Sequence, residues 1–168
     1  DESRKECGWM YQTRHEQAGA GEIEYTVWSD VYICPNCGQE INYWKTCVLP
    51  GNKVVTKPKC PKCMAVIDKN KCEHAQDMVY DERLGKTITT ARQIPVKIFY
   101  SYNGKRYSKD VTDDDLKLIE KINRTDNPYW YPTNRMREGS ESRRNDRIGV
   151  TNVHHFYTSR NLYVLSKP

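Results

Sequence analysis

The chain has 168 residues, 37% hydrophobic and 29% charged, with 27 basic groups against 22 acidic ones and a net charge of +5. No run approaches the roughly 18 apolar residues of a membrane helix, and the opening Asp-Glu-Ser-Arg-Lys-Glu has no signal-peptide form. A length of this order allows one domain or two small ones, and so mild a basic balance names no partner by itself. Tyr (12) and Trp (4) supply much of the apolar bulk beside only two Phe. Such a core must satisfy phenol and indole groups, and a bound metal would support it.

Residues 1–21 read as an irregular or helical lead-in, closing on a loop at Ala18-Gly19-Ala20-Gly21. Residues 22–33 are dense in β-formers and predict one strand, or two with a turn at Ser29-Asp30. The strand runs into Cys34-Pro35-Asn36-Cys37-Gly38. Residues 40–48 predict a second strand, Pro50-Gly51-Asn52-Lys53 a turn, and residues 53–57 a lead into Cys60-Pro61-Lys62-Cys63.

Two C-x2-C knuckles at this separation are the pattern of a structural zinc site. Two thiols in a tight turn can face one metal, and two such turns complete a tetrahedral thiolate shell. Cys34, Cys37, Cys60 and Cys63 are therefore the expected ligands of one structural zinc. Gly38 can take a positive φ after the first knuckle; Met64 stands where the second would favour glycine. Four thiolates leave no open position for water, so the site is not expected to be catalytic. A zinc deaminase would need H-x-E and a proline before Cys60, where Lys59 stands. With no secretory signal, zinc thiolates in a reducing cytoplasm fit better than disulfides. Cys7, Cys47 and Cys72 read as ordinary thiols, although Cys72-Glu73-His74 lies close enough in sequence to offer a substitute ligand.

Ala65-Val66-Ile67 is strand-like, with polar sequence after it to about residue 78. Ile94–Tyr102 reads as a strand, Asn103-Gly104 as a tight hairpin turn, and 105–109 as the returning strand. Thr112 and Asp115 have the spacing of a capping box; Leu116, Ile119 and Ile122 then repeat along a helix to about Arg124, which Asn127-Pro128 stops. Residues 128–149 read as an ordered loop, and 150–157 and 160–165 turn apolar again. The abrupt ends suggest a piece of a longer chain. The expected organisation is α+β: a lead-in at 1–21, zinc-ribbon β-hairpins at 22–75, and at 76–168 a small antiparallel sheet with one or two helices and an Arg-rich loop.

That loop carries Arg135, Arg137, Arg143, Arg144 and Arg147 with Glu138, Glu141 and Asp146 among them. With Lys105, Arg106 and Arg160, these arginines suit bidentate phosphate contact. Tyr129 and Trp130 beside them could stack on an unpaired base. The competing reading pairs the arginines with the interleaved acids and makes the stretch a brace. His154-His155, if on a strand, point to opposite faces, and packing is favoured over a metal or acid–base role.

The blocks Glu6-Cys7-Gly8-Trp9-Met10-Tyr11-Gln12-Thr13-Arg14-His15, Tyr25-Thr26-Val27-Trp28-Ser29-Asp30-Val31, Tyr129-Trp130-Tyr131-Pro132-Thr133-Asn134-Arg135-Met136, Glu141-Ser142-Arg143-Arg144-Asn145-Asp146 and Val153-His154-His155-Phe156-Tyr157-Thr158-Ser159-Arg160-Asn161-Leu162 stand in this order. Together they resemble the middle segment of large bacterial adenine-specific DNA methylases, over nearly the whole chain. The resemblance implies an S-adenosylmethionine-dependent parent enzyme acting on double-stranded DNA. It also implies that this segment packs with the remaining methyltransferase domain, while the lack of a long apolar run leaves no membrane partner expected. The family's glycine-rich cofactor motif and its Asp/Asn-Pro-Pro-Tyr/Phe catalytic motif are both missing here, as no F-x-G-x-G and no Pro-Pro pair occurs. The chain is thus expected to be silent in methyl transfer alone, either aiding DNA binding or target recognition, or bracing the methylase fold or docking a partner protein without touching DNA.

Overall fold

The computed structural model describes residues 2–16, 19–49 and 53–168. Helix α1 (Glu2–Cys7) continues into a 3-10 turn, Gly8–Tyr11, and a short strand β1 (Gln12–Arg14). The lead-in thus ends in sheet. Ala18 of the expected loop and residues 50–52 of the expected turn lie outside the described residues. Strand β2 (Ala20–Ile33) is unbroken, so Ser29-Asp30 makes no turn. Strand β3 (Glu40–Asn42) gives way to a helix, α2 (Tyr43–Cys47), where the sequence predicts continued strand. The Asn42 side chain explains the switch: it accepts the Lys45 N–H at 3.1 Å and caps the helix. Strands β4 (Val48–Leu49) and β5 (Lys53–Val54) pair with each other.

The expected strand at 65–67 is a single bridge, Lys59 to Val66. The polar sequence that follows holds a 3-10 turn, Lys69–Lys71, strand β6 (Glu73–His74), and a hairpin of β7 (Gln76–Asp81) and β8 (Lys86–Ala91). Strands β9 (Gln93–Tyr102) and β10 (Lys105–Asp110) form the expected hairpin, with φ of 48° at Asn103 and 73° at Gly104. Helix α3 (Asp113–Asn123) carries the Thr112–Asp115 capping box. Two further helices follow: α4 (Ser140–Arg147), in place of the expected loop, and, after a 3-10 turn at Val153–Phe156, α5 (Ser159–Ser166), over the apolar stretch. The protein is α+β with a mostly antiparallel sheet. Among the described residues no helix is long and apolar enough to cross a membrane.

Two units are distinct. The first comprises Asp1–Val27, Pro95–Ser142 and Val150–Pro168. Its strands run β1-β2-β9-β10, around buried Ile23, Ile98 and Tyr100, with Tyr11, Tyr102, Val111 and Leu118 packed on them. Helix α3 buries Asp115 and Ile122, whereas Leu116 is 45% exposed. The inward face is therefore 115–118–122 rather than one led by Leu116. Asp115 earns its place in the core by its partners: Thr13 Oγ1 donates to it at 2.6 Å, the Thr112 N–H at 2.9 Å, and Lys109 Nζ lies 2.9 Å away. His15 is buried as well, its Nδ1 2.9 Å from the Tyr100 hydroxyl and its ring stacked 4.2 Å from Tyr102.

The second unit comprises Trp28–Ile94 and Arg143–Gly149. The end of β2 pairs on one side with β3 and on the other with β6. Arg92 ties β7 to β3, with Nε 2.7 Å from Asp77 and Nη1 2.7 Å from Glu40. The core of this unit is mostly sulfur: Cys34, Cys60, Ile41 and Ile67 are buried together, with Cys37, Cys63, Cys72 and Tyr43 packed against them.

Candidate metal centre

Each knuckle closes by the same pair of backbone bonds. Cys34 N–H donates to Gln39 O at 2.9 Å and Cys34 O accepts from Gly38 N–H at 2.9 Å. Cys60 N–H donates to Ala65 O at 2.8 Å and Cys60 O accepts from Met64 N–H at 3.0 Å. The turn that this requires sends residue 38 to φ +70° and residue 64 to φ +62°. Met64 therefore adopts the left-handed conformation without being glycine, at a cost of about 1–2 kcal/mol. Its side chain is 62% exposed and gains little by packing. The second knuckle keeps the full geometry and bears strain there.

The closed turns bring four sulfurs together. Cys34 Sγ lies 3.7 Å from Cys63 Sγ, and Cys37 Sγ lies 3.7 Å from Cys60 Sγ. All four ligand atoms fall within 4.8 Å of one another. A zinc ion bound to four thiolates at about 2.3 Å sets sulfurs about 3.8 Å apart along a tetrahedron edge. The four cysteines are thus close enough to hold a metal ion, and their soft donors suit zinc.

The backbone around the sulfurs favours their anionic form. The Ala65 N–H directed at Cys63, helped by the Asn36 side chain, pulls that thiol down to about 6. The Cys63 N–H likewise lowers Cys60. The Gln39 N–H acts the same way on Cys37, but burial and the crowding of Cys63, Cys34 and Cys60 outweigh it and push that thiol up to about 12. Four thiolates at this spacing repel one another, and a divalent cation is what relieves the repulsion.

Cys7 and Cys47 are buried and Cys72 half-buried. None of them belongs to the four-sulfur set. His154 and His155 lie on a 3-10 turn, not a strand, and their rings meet at 4.3 Å instead of facing apart. His155 Nδ1 accepts the Thr151 N–H at 3.2 Å, a turn-capping role that spacing alone does not reveal.

The arginines do not share a loop. Arg143, Arg144 and Arg147 lie on α4, whereas Arg135 and Arg137 precede it. Arg135 Nη1 donates to Thr151 O at 2.8 Å, and Arg143 Nη1 is 3.9 Å from Asp146. Arg106 pairs with Glu24 at 3.1 Å but stays 85% exposed in its side chain, and Lys105 is exposed at the hairpin. Arg160 is half-buried, its guanidinium 5.2 Å from the centre of the Tyr11 ring, and burial lowers its pKa. Tyr129 donates its hydroxyl to Glu6 at 2.8 Å and packs edge-on to Tyr163. Trp130, by contrast, is 80% exposed. No family model, no curated protein and no solved structure matches this chain.

Proposed function

We propose that this chain is the zinc-carrying segment of an S-adenosylmethionine-dependent DNA adenine methyltransferase, silent in methyl transfer alone and aiding the parent enzyme's grip on duplex DNA. The four-sulfur cluster carries the metal part of this reading: its spacing matches a tetrahedral thiolate shell and its backbone stabilises thiolates. The zinc is structural, because four protein ligands leave no position for a reacting water. S-adenosylmethionine belongs to the rest of the parent enzyme, since the motifs that would hold it are missing from this sequence.

The methyltransferase part rests on the ordered blocks from Glu6–His15 to Val153–Leu162. The DNA part rests on exposure: Trp130 is free of the core, and helix α4 presents Arg143, Arg144 and Arg147 at its surface. A second reading makes the chain a brace without DNA contact. It is favoured by Arg160 on Tyr11, Tyr129 on Glu6 and Arg135 on Thr151, which spend their polar groups inside the chain.

Titration with duplex DNA at several salt concentrations separates the two. On the DNA reading, the double variant Arg143→Ala, Arg144→Ala binds more weakly across sequences and loses about one unit of salt slope per lost phosphate contact. An unchanged slope with a lower unfolding midpoint assigns these arginines to bracing. Incubation with donor and DNA transfers no methyl group on either reading, and turnover that survives repurification would contradict both.

A further inference from the structure

One more thiol stands beside the four-sulfur set. Cys72 follows the Lys69–Lys71 turn with extended backbone, φ −94° and ψ 142°, and leads directly into β6. In the antiparallel pairing of β6 with β2, Tyr32 faces His74 and Ile33 faces Glu73. Continued one step beyond the paired residues, this register would set Cys34 opposite Cys72. The 2.8 Å bond from Ala75 N–H to Val31 O flanks the Tyr32–His74 pair, which is therefore a non-hydrogen-bonded one. Cys34 turns its own N–H and carbonyl to Gln39 and Gly38 instead, as a residue two steps on from that pair would in a non-hydrogen-bonded position, where Cα atoms approach to about 4.5 Å. Disulfides span Cα separations of about 4.4–6.8 Å.

Side-chain alternation puts Cys34 and Cys72 on the face of Tyr32 and His74, whose rings lie 4.6 Å apart. Cys72 indeed packs against the cluster that contains Cys34. It is a fifth thiol, outside the tetrahedral set yet aligned with one of its ligands.

We propose that Cys34 and Cys72 form a site of reversible oxidation that couples metal release to a cross-strand disulfide. The proposal rests on the zinc reading above. A hydroperoxide reaches Cys63, which is only half-buried. The Cys63 thiolate attacks the peroxide oxygen, an S–O bond forms, the O–O bond breaks, and the leaving hydroxide or alkoxide takes a proton from water. The sulfur has lost two electrons to the peroxide. Cys34, 3.7 Å away, then attacks the sulfenic sulfur and expels hydroxide, which is protonated to water. A metal held by the four cysteines would thereby lose two of its thiolate ligands and be released. Cys72 gives its proton to solvent and attacks Cys34 Sγ, making the Cys34–Cys72 bond and releasing Cys63 as a thiolate. In sum, one hydroperoxide and two thiols yield one disulfide, one alcohol (or water) and one water. Exchange with a reducing thiol reverses it. The cross-strand position favours the final product, because its bond spans strands at their natural spacing.

The test uses the zinc-loaded chain and hydrogen peroxide. Released zinc is read with a chromophoric indicator, and disulfides are mapped by mass spectrometry after catalase and thiol alkylation. The expected result is zinc release together with a linked peptide pair containing Cys34 and Cys72, both undone by excess dithiothreitol and fresh zinc. Cys72→Ser binds zinc as the parent chain does, which shows that it folds. After peroxide its linked peptide falls to background and a Cys34–Cys63 bond takes its place. Cys47→Ser, altered at a thiol outside the pair, gives the unaltered map. Zinc release that leaves Cys72 alkylated, or ends on Cys34–Cys63 in the unaltered chain, overturns this proposal alone. A chain that holds no zinc before peroxide overturns the metal reading and this coupling with it.

Discussion

Gly38 and Met64 hold equivalent places in the two knuckles, each donating its N–H to the carbonyl of the cysteine that opens its own turn, at 2.9 Å and 3.0 Å. Both lie in the left-handed region, at φ +70° and +62°. The same backbone geometry is thus unstrained in one knuckle and strained in the other. A Cβ at residue 38 would meet nothing within 4 Å, so Gly38→Ala isolates the conformational term. We expect it to destabilise the metal-loaded chain by about 1 kcal/mol. Met64→Gly relieves the same strain but frees the unfolded chain, and should shift stability by less than about 1 kcal/mol in the stabilising direction. Denaturant midpoints of the zinc-loaded variants measure both.

Removal of any one sulfur should empty the site. Cys34→Ser, Cys37→Ser, Cys60→Ser and Cys63→Ser are each expected to drop the bound zinc from about one per chain toward none. Cys7→Ser and Cys47→Ser should keep it, since neither belongs to the four-sulfur set. Because Cys34 and Cys60 are also the buried core of their unit, a chelator should strip hydrogen-exchange protection from the Gly38 and Met64 amides. Acid should release the metal in the same way, as the ligands must be deprotonated to bind. Protection unchanged by a chelator would mean that the sulfur core stands without metal.

Asp115 should govern the acid stability of its own unit. Burial works to raise its carboxyl, but the bonds from Thr13, Thr112 and Lys109 outweigh it and hold the pKa below the ordinary value. A group shifted in that direction contributes stability above its unfolded pKa of about 4, and that stability is lost as pH falls through the lower folded value. Asp115→Ala leaves Lys109, itself 12% exposed in its side chain, without its buried partner, and should cost about 3–5 kcal/mol at neutral pH. Unfolding curves taken from pH 7 down through pH 3 check the sign: the loss should appear in the parent chain and be flattened in the variant.

Gly21 lies opposite Thr13 in the β1–β2 pairing. A Cβ there would sit 2.4 Å from Tyr100 Cδ2 and 3.2 Å from Ser101 O. Tyr100 is 2% exposed and bonded to His15, so it cannot swing aside freely. Gly21→Ala is expected to cost about 1–3 kcal/mol as an overpacking change. A second variant, Gly21→Ala with Tyr100→Leu, should recover part of this loss, and its thermal midpoint tests whether the clash with Tyr100 is the cause.

The zinc-site candidates were legible because their signal is local. Four cysteines at C-x2-C spacing need only two tight turns to converge, and residues within each knuckle supply the bonds that close them. The Asn103-Gly104 hairpin and the Thr112–Asp115 capping box were legible for the same reason, since each is settled within a few residues. The sequence by itself therefore determined the local turns, the candidate ligand set and the α+β class. The tertiary structure decided what depends on distant partners. Residues 43–47 are helical against their strand-like composition, where the local Asn42 cap is joined by the distant Ser29, whose hydroxyl accepts the Trp44 N–H at 2.9 Å. Asp115 is buried because Thr13, 102 residues away in sequence, and Lys109 meet it there. Arg160 and Tyr129, which read as surface groups by type, are held by Tyr11 and Glu6 at the other end of the chain. Cys72 packs against the cluster that contains Cys34 only because β6 pairs with the end of β2. Residue type sets what a side chain can do; which partner it finds depends on loop closures that no local pattern encodes.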